Sequence, residues 1–180
     1  MYNRTLDRVA KEFVVHLVDT KTLPQEKISF GIPNTLEYFY LDSLYLDISF
    51  FNTLERNHSL KHLHLTYGCL MDSTSTKALR KMLCVNHTIT SLSLRGNMLF
   101  TNDHVVEEVV LLLGGLQAPL TNLDIAANGA KNLERIFNAL LTSDVIENLV
   151  IDCRMENDAG HYTSRSNILV SIEIVDEDLQ

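Results

Sequence analysis

Apolar positions along the chain follow two rhythms that replace one another. From Leu36 onward a short pattern, apolar-x-x-apolar-x-apolar, recurs as Leu36, Phe39, Leu41; Leu60, Leu63, Leu65; Ile89, Leu92, Leu94; Leu120, Leu123, Ile125; and Ile146, Leu149, Ile151. A degenerate copy follows at Leu169, Ile172 and Ile174. The last two positions of each copy alternate with polar residues, which is the signature of a half-buried strand. Between copies the spacing changes to threes and fours. Ala78, Leu79, Met82, Leu83 form one stripe, Val106, Val109, Val110, Leu113 a second, and Leu133, Ile136, Phe137, Leu140, Leu141 a third. Each stripe predicts an amphipathic helix. The segment carrying Phe50, Phe51 and Leu54 predicts a helix of only a turn or two.

Ahead of the first copy, Leu6, Val9, Ala10, Phe13, Val14 and Leu17 stand opposite Asp7, Arg8, Lys11 and Glu12, so this stretch too predicts a helix. Pro24, Gly31 and Pro33 then surround the β-prone run Ile28 to Phe30. The expected organisation is an N-terminal helical cap over residues 1–33 and a repeat region over 34–180, together one structural domain.

The repetition extends beyond the leucines. LERNHSLKHLHL from Leu54 returns 29 residues later as LCVNHTITSLSL from Leu83. Asn57 and Asn86 fall just past the ends of their helices, where asparagine either enters the left-handed region or hydrogen-bonds loose backbone groups. Ser59 and Thr88 help turn the chain into the next strand. Asn97 and Asn128 follow their strands by a fixed offset and are expected to bond backbone groups of adjacent loops, while Leu44, Gly68 and Arg154 hold that place in other copies. Gly114 and Gly115 are expected to stop the third helix in a left-handed cap.

With several copies of this template, the chain resembles a leucine-rich-repeat protein of the ribonuclease-inhibitor-like subclass over roughly residues 34 to 175. The phrase from Leu83 to Asn97 is also similar to repeats of tropomodulin-type actin-capping proteins and NOD-like receptors. The resemblance implies an α/β solenoid of about five repeats, with short parallel strands lining a concave face and helices on the convex side. Residues flanking the inward leucines would then project onto the concave face: Tyr38, Tyr40, Asp42; His62, His64, Thr66; Ser91, Ser93, Arg95; Asn122, Asp124, Ala126; and Asn148, Val150, Asp152.

Composition narrows the chemistry. A net charge of −8, from 15 Lys+Arg against 23 Asp+Glu with the basic residues scattered, argues against nucleic acid. Three widely spaced cysteines, Cys69, Cys84 and Cys153, suggest neither a disulfide framework nor a metal knuckle and fit a reducing compartment. Charges interrupt the N-terminal segment too often for a signal peptide, and the most apolar run, Val109 to Leu113, is too short to span a bilayer. The expected location is cytoplasmic, or the host cytosol for a secreted bacterial effector.

His62 and His64 share one strand face, but neither a carboxylate nor a thiol completes a zinc spacing with them, His58 or His87. Cys84 lies beside an apolar stripe and is expected to pack, and the sequence holds no nucleophile elbow, P-loop or dinucleotide fingerprint. RMENDAGHYTSRSN, residues 154–167, reads as a surface loop and an alternative contact surface. Tyr38 and Tyr40 either meet a partner or pack against the N-terminal segment.

The expected function is a protein–protein interaction scaffold without catalysis, cofactor or metal. Its partner-binding residues are Tyr38, Tyr40, His62, His64, Arg95, Asp124 and Asp152. Alternatives are an actin- or filament-associated capping scaffold, the recognition subunit of an enzyme assembly, and a secreted bacterial effector. The partner is a protein, with no nucleic acid or membrane involved. The chain is expected to be a monomer or a weak homo-oligomer through its ends.

Overall fold

The computed structural model describes residues 12–16, 32–43, 46, 48–70, 72–115, 119–129, 131–151 and 171–174, the first and last of these ranges as backbone alone. Seven parallel strands pair in chain order: β1 (Glu12–His16), β2 (Tyr38–Asp42), β3 (His62–Thr66), β4 (Ser91–Ser93), β5 (Asn122–Asp124), β6 (Asn148–Ile151) and β7 (Ser171–Ile174). Parallel neighbours need a crossover, and the spacers between β2 and β6 supply it as α1 (Ile48–Leu54), α2 (Ser73–Val85), α3 (Asp103–Gly114) and α4 (Leu133–Leu140). Consecutive helices pack on one another as consecutive strands do.

Register follows the template. Phe39, Leu63, Leu92, Leu123, Leu149 and Ile172 align across β2 to β7. All fifteen template residues from Leu36 to Ile151 are buried, in one core with Leu79, Met82, Val106, Val109, Ile136 and Leu140 of the helices. Burial of each such side chain contributes about 1.5–3 kcal/mol. β2 and β3 alternate half-buried and buried residues, so one face of the sheet meets the helices and the other is open. That separates this sheet from parallel sheets covered on both sides.

The helix expected across Leu6 to Leu17 is corrected at Glu12–His16, which form β1 and pair with β2. Phe13 and Val15 take the register of Phe39 and Leu41, so this stretch continues the sheet rather than capping it with a helix. Short apolar runs satisfy both periods, and here an aromatic and β-branched run meets the unfilled edge of β2. The rest of the cap's residues 1–31 lies outside the described residues, as does the 154–167 loop.

Asparagines join the units. Asn57 and Asn86 act by hydrogen bonding and not by left-handed backbone: Asn86 is extended (φ −85°, ψ 119°), and neither has positive φ. The Asn86 amide donates to the Leu54 and Asn57 carbonyls, both at 2.9 Å, and its oxygen accepts from the Thr88 and Ile89 N–H groups. Asn57 accepts likewise from Ser59 and Leu60, and Ser59 Oγ donates to the Leu36 carbonyl at 2.7 Å. Asn97 donates to the Leu65 and Leu94 carbonyls and accepts from Leu70 N–H, while Asn128 donates to Leu94, Ile125 and Ala126 and accepts from Asn97 and Leu99. All four are buried.

The left-handed backbone occurs elsewhere. Two residues beyond the last template position, Ser43, Tyr67, Gly96 and Ala127 have φ of 58°, 49°, 72° and 56°. In the units of Gly96 and Ala127 this turn carries the chain from the strand toward Asn97 and Asn128, and in the two earlier units toward Leu44 and Gly68. Gly115, by contrast, closes α3 with φ −118°, its N–H donating to the Leu112 carbonyl, so the expected left-handed cap is absent there. Cys84 is also corrected: it is exposed on α2, one position off the buried stripe, whereas Cys69 is buried.

Candidate functional site

Strand register lays the open-face residues out in rows. One row runs Tyr38, His62, Ser91, Asn122, Asn148, and the next Tyr40, His64, Ser93, Asp124, Val150. Parallel strands stand about 4.8 Å apart, close to the thickness of stacked rings. The Tyr38 and His62 rings accordingly lie 4.3 Å apart with their planes 1° from parallel, and Tyr40 and His64 lie 4.2 Å apart at 34°. All four are half-buried, neither core nor freely moving.

Beyond the rings the rows become small and polar. Asp124 accepts from Ser93 Oγ and Arg95 Nε through Oδ2, each at 3.1 Å, and from Ala126 N–H through Oδ1 at 3.1 Å. The Arg95–Asp124 ion pair is about a quarter exposed on each side. Asn148 donates to Asn122 at 2.8 Å, and Thr66 Oγ1 to Asp42 at 3.2 Å. Burial lowers the pKa of His64 below its usual value, and the neighbouring His62 charge lowers it further, with Asp124 opposing. His64 is therefore a neutral imidazole at neutral pH, able to donate from one nitrogen and accept at the other.

Among the expected contact residues, the structure brings together Tyr38 with His62, Tyr40 with His64, and Arg95 with Asp124. Asp152 lies outside the described residues. Ala126, expected on this face, is fully buried, and Ser93 is 4% exposed. Alternation fails at these positions because Ala126 begins the left-handed turn and Ser93 is covered by its neighbours. Tyr67 was not expected at the site. It is 52% exposed, and its ring lies where a Cβ on Gly96 would come within 2.4 Å. The only signal for it was an aromatic residue directly beyond a strand and before a glycine.

Among the described residues there is no group of three or more His, Cys, Asp or Glu side chains able to hold a metal ion, and no helix is long and apolar enough to cross a membrane.

Parallel strands in chain order, helices returning on one face and asparagines joining the turns make this a leucine-rich-repeat-like α/β fold. No protein-family model and no curated protein matches the chain. Among solved structures it is similar to "Leiomodin-1 Actin-Binding Site 2 (ABS2)", with 23% sequence identity and a TM-score of 0.43 over 60% of this chain and 62% of that one. The chain thus spans about three-fifths of that structure's length. The likeness carries no argument at that level, and the fold assignment rests on the sheet and its turns.

Proposed function

We propose that this chain is a non-enzymatic interaction scaffold, a ribonuclease-inhibitor-like leucine-rich-repeat solenoid that takes a protein partner on its open sheet face. The observation that carries this reading is the pair of ring contacts, Tyr38–His62 and Tyr40–His64, on neighbouring strands of a continuous sheet. Tyrosine supplies contact area with a polar tip, and rings already held against each other lose little rotamer freedom on binding. Arg95 and Asp124 extend the contact surface toward the later repeats, and Asp152 is proposed as a further contact residue from the repeat pattern alone. Binding needs no cofactor or metal, involves neither nucleic acid nor membrane, and suits a cytoplasmic setting in which Cys69 and Cys84 remain thiols.

The test is a cross-linking pull-down with the wild type and with Tyr38→Ser, Tyr40→Ser, His62→Ser and His64→Ser combined, after circular dichroism shows both folded. A helix-side variant, Lys77→Glu with Lys81→Glu, serves as control. A protein captured by the wild type and the control and lost by the ring variant supports the reading; equal capture by all three contradicts it. Co-sedimentation of the wild type with actin filaments decides whether the partner is a filament.

A further inference from the structure

Two triplets of one kind sit at the junctions between units. Asn57-His58-Ser59 follows α1 and Asn86-His87-Thr88 follows α2. Asn-x-Ser/Thr is the acceptor signal for asparagine-linked glycosylation, which needs the asparagine on an accessible surface loop. Here the triplets face the other way. Only the central histidines are exposed, and Asn57 and Asn86 are each 2% exposed.

The groups that this modification uses are already engaged. An oligosaccharyltransferase joins the asparagine Nδ2 to the anomeric carbon of a lipid-linked sugar; the nitrogen loses one hydrogen as a proton and the lipid pyrophosphate leaves. Both N–H hydrogens of the Asn86 amide are in use, donated to the Leu54 and Asn57 carbonyls at 2.9 Å each. Asn57 Nδ2 donates to the Pro33 carbonyl at 3.3 Å. The hydroxyls that complete the triplets are turned inward as well. Ser59 Oγ donates to the Leu36 carbonyl at 2.7 Å, and Thr88 Oγ1 to Asn86 Oδ1 at 3.1 Å. A sugar on Nδ2 displaces a hydrogen that a buried carbonyl needs and demands room in an interior packed as densely as an organic crystal. Because Asn86 donates to the backbone carbonyl of Asn57 itself, a glycan at either position disturbs the same junction.

We propose that folding and asparagine-linked glycosylation are mutually exclusive in this chain: Asn57 and Asn86 accept a glycan only before the repeats stack, and a glycan on either one prevents stacking. The folded protein is thereby restricted to compartments that lack the transferase. The inference does not depend on the open-face reading.

The order of events decides which outcome occurs. The carbonyls that receive these amides lie far back in the chain, Pro33 at 24 residues before Asn57 and Leu54 at 32 before Asn86. Each asparagine is buried only once the preceding unit is in place beside its own. Non-local pairings of this parallel kind form slowly. A transferase that acts on the chain as it enters a secretory lumen therefore meets both triplets unburied. Asn3-Arg4-Thr5 makes a third triplet, outside the described residues, and Thr5→Ala removes it from the test.

The experiment directs the full chain, carrying Thr5→Ala, into the secretory lumen of a eukaryotic cell behind a cleavable signal peptide. The same chain is made in the cytosol and is also exported to the periplasm of a bacterium that has no oligosaccharyltransferase. Enzymatic removal of the glycans turns each carrier asparagine into aspartate, which mass spectrometry locates. The expected result is a lumenal chain glycosylated at Asn57 and Asn86 that is retained and aggregated, while the cytosolic and periplasmic chains are soluble and folded by circular dichroism. Adding Ser59→Ala and Thr88→Ala removes both signals and leaves both asparagines. Once its cytosolic product is shown to fold, this variant should be secreted from the lumen in soluble form. Secretion of folded chain with a glycan on Asn57 or Asn86 overturns the exclusion. Secretion of folded chain without a glycan on either also overturns it, since stacking then outruns the transferase. Aggregation in the periplasm, or lumenal retention of a variant that folds in the cytosol, assigns the failure to export itself and likewise overturns the proposal.

Discussion

Asn97 shows how much one side chain holds. Its amide reaches a carbonyl of the preceding unit and one of its own, while its oxygen satisfies Leu70 N–H, all in the buried interior. Alanine there strands these groups, and each orphaned buried group costs about 1–3 kcal/mol. Asn97→Ala should therefore lower the stability seen in urea unfolding by about 3 kcal/mol; a loss of a few tenths would show that water replaces the asparagine. Gly96 tests a different constraint. A Cβ there collides with the Tyr67 ring and sits on left-handed backbone. Gly96→Ala should be costly in the wild type and milder in a Tyr67→Ala background, where only the backbone penalty of about 1 kcal/mol remains. Equal costs in the two backgrounds would remove the ring from the explanation. His64 adds a stability signature. Its folded pKa lies below the unfolded value near 6.5, so the unfolded chain binds the proton more readily. That contribution is present above about pH 6.5 and lost as the pH falls through the folded pKa. Wild type should lose more stability than His64→Gln between pH 7.5 and 5, as read from paired denaturation curves.

At the scale of elements, α2 is the best-defined helix. Asp72 caps it, accepting from Ser75 N–H at 2.8 Å and from Ser75 Oγ at 2.9 Å. Asp72→Ala should cost about 1 kcal/mol, measured by thermal or urea unfolding. Neighbouring helices are also joined by ion pairs, Arg80 with Glu108 and Arg135 with Glu107, though pairs this close to solvent contribute well under the core's share. The helical stripes were legible because thirteen- and twelve-residue segments carry several turns of one period. Five residues of β1 were not: Phe13, Val14 and Val15 fit either period until β2 offers a partner. The turn chemistry was half legible. Asn86 and Asn97 announced themselves by recurrence, whereas the left-handed position recurs as Ser43, Tyr67, Gly96 and Ala127, four residue types with no common chemistry.

Over the whole molecule, one core runs from Leu36 to Ile151, and every unit leans on its neighbours. The alternation along each strand made the open-face rows readable from sequence, since side chains on a pleated strand must take turns. Alignment of the copies also made the placing of Tyr38 and Tyr40 beside His62 and His64 readable, whereas the angle at which those rings meet, the Arg95–Asp124 pair and the covering of Ser93 were not, because they depend on side-chain conformations that the repeat does not encode. The resulting surface is uneven: rings at β2 and β3, serines at β4 with Ser93 buried, and Asn122, Asp124 and Asn148 at β5 and β6. The central claim is that partners meet this face and not the helices. A photo-cross-linking amino acid placed at His62 in one variant and at Lys81 in another, each irradiated in the same cell lysate, tests it most directly. The account predicts a discrete adduct from position 62 that excess unlabelled wild-type chain competes away, and none from position 81. A competed adduct from position 81 with nothing at position 62 would contradict it.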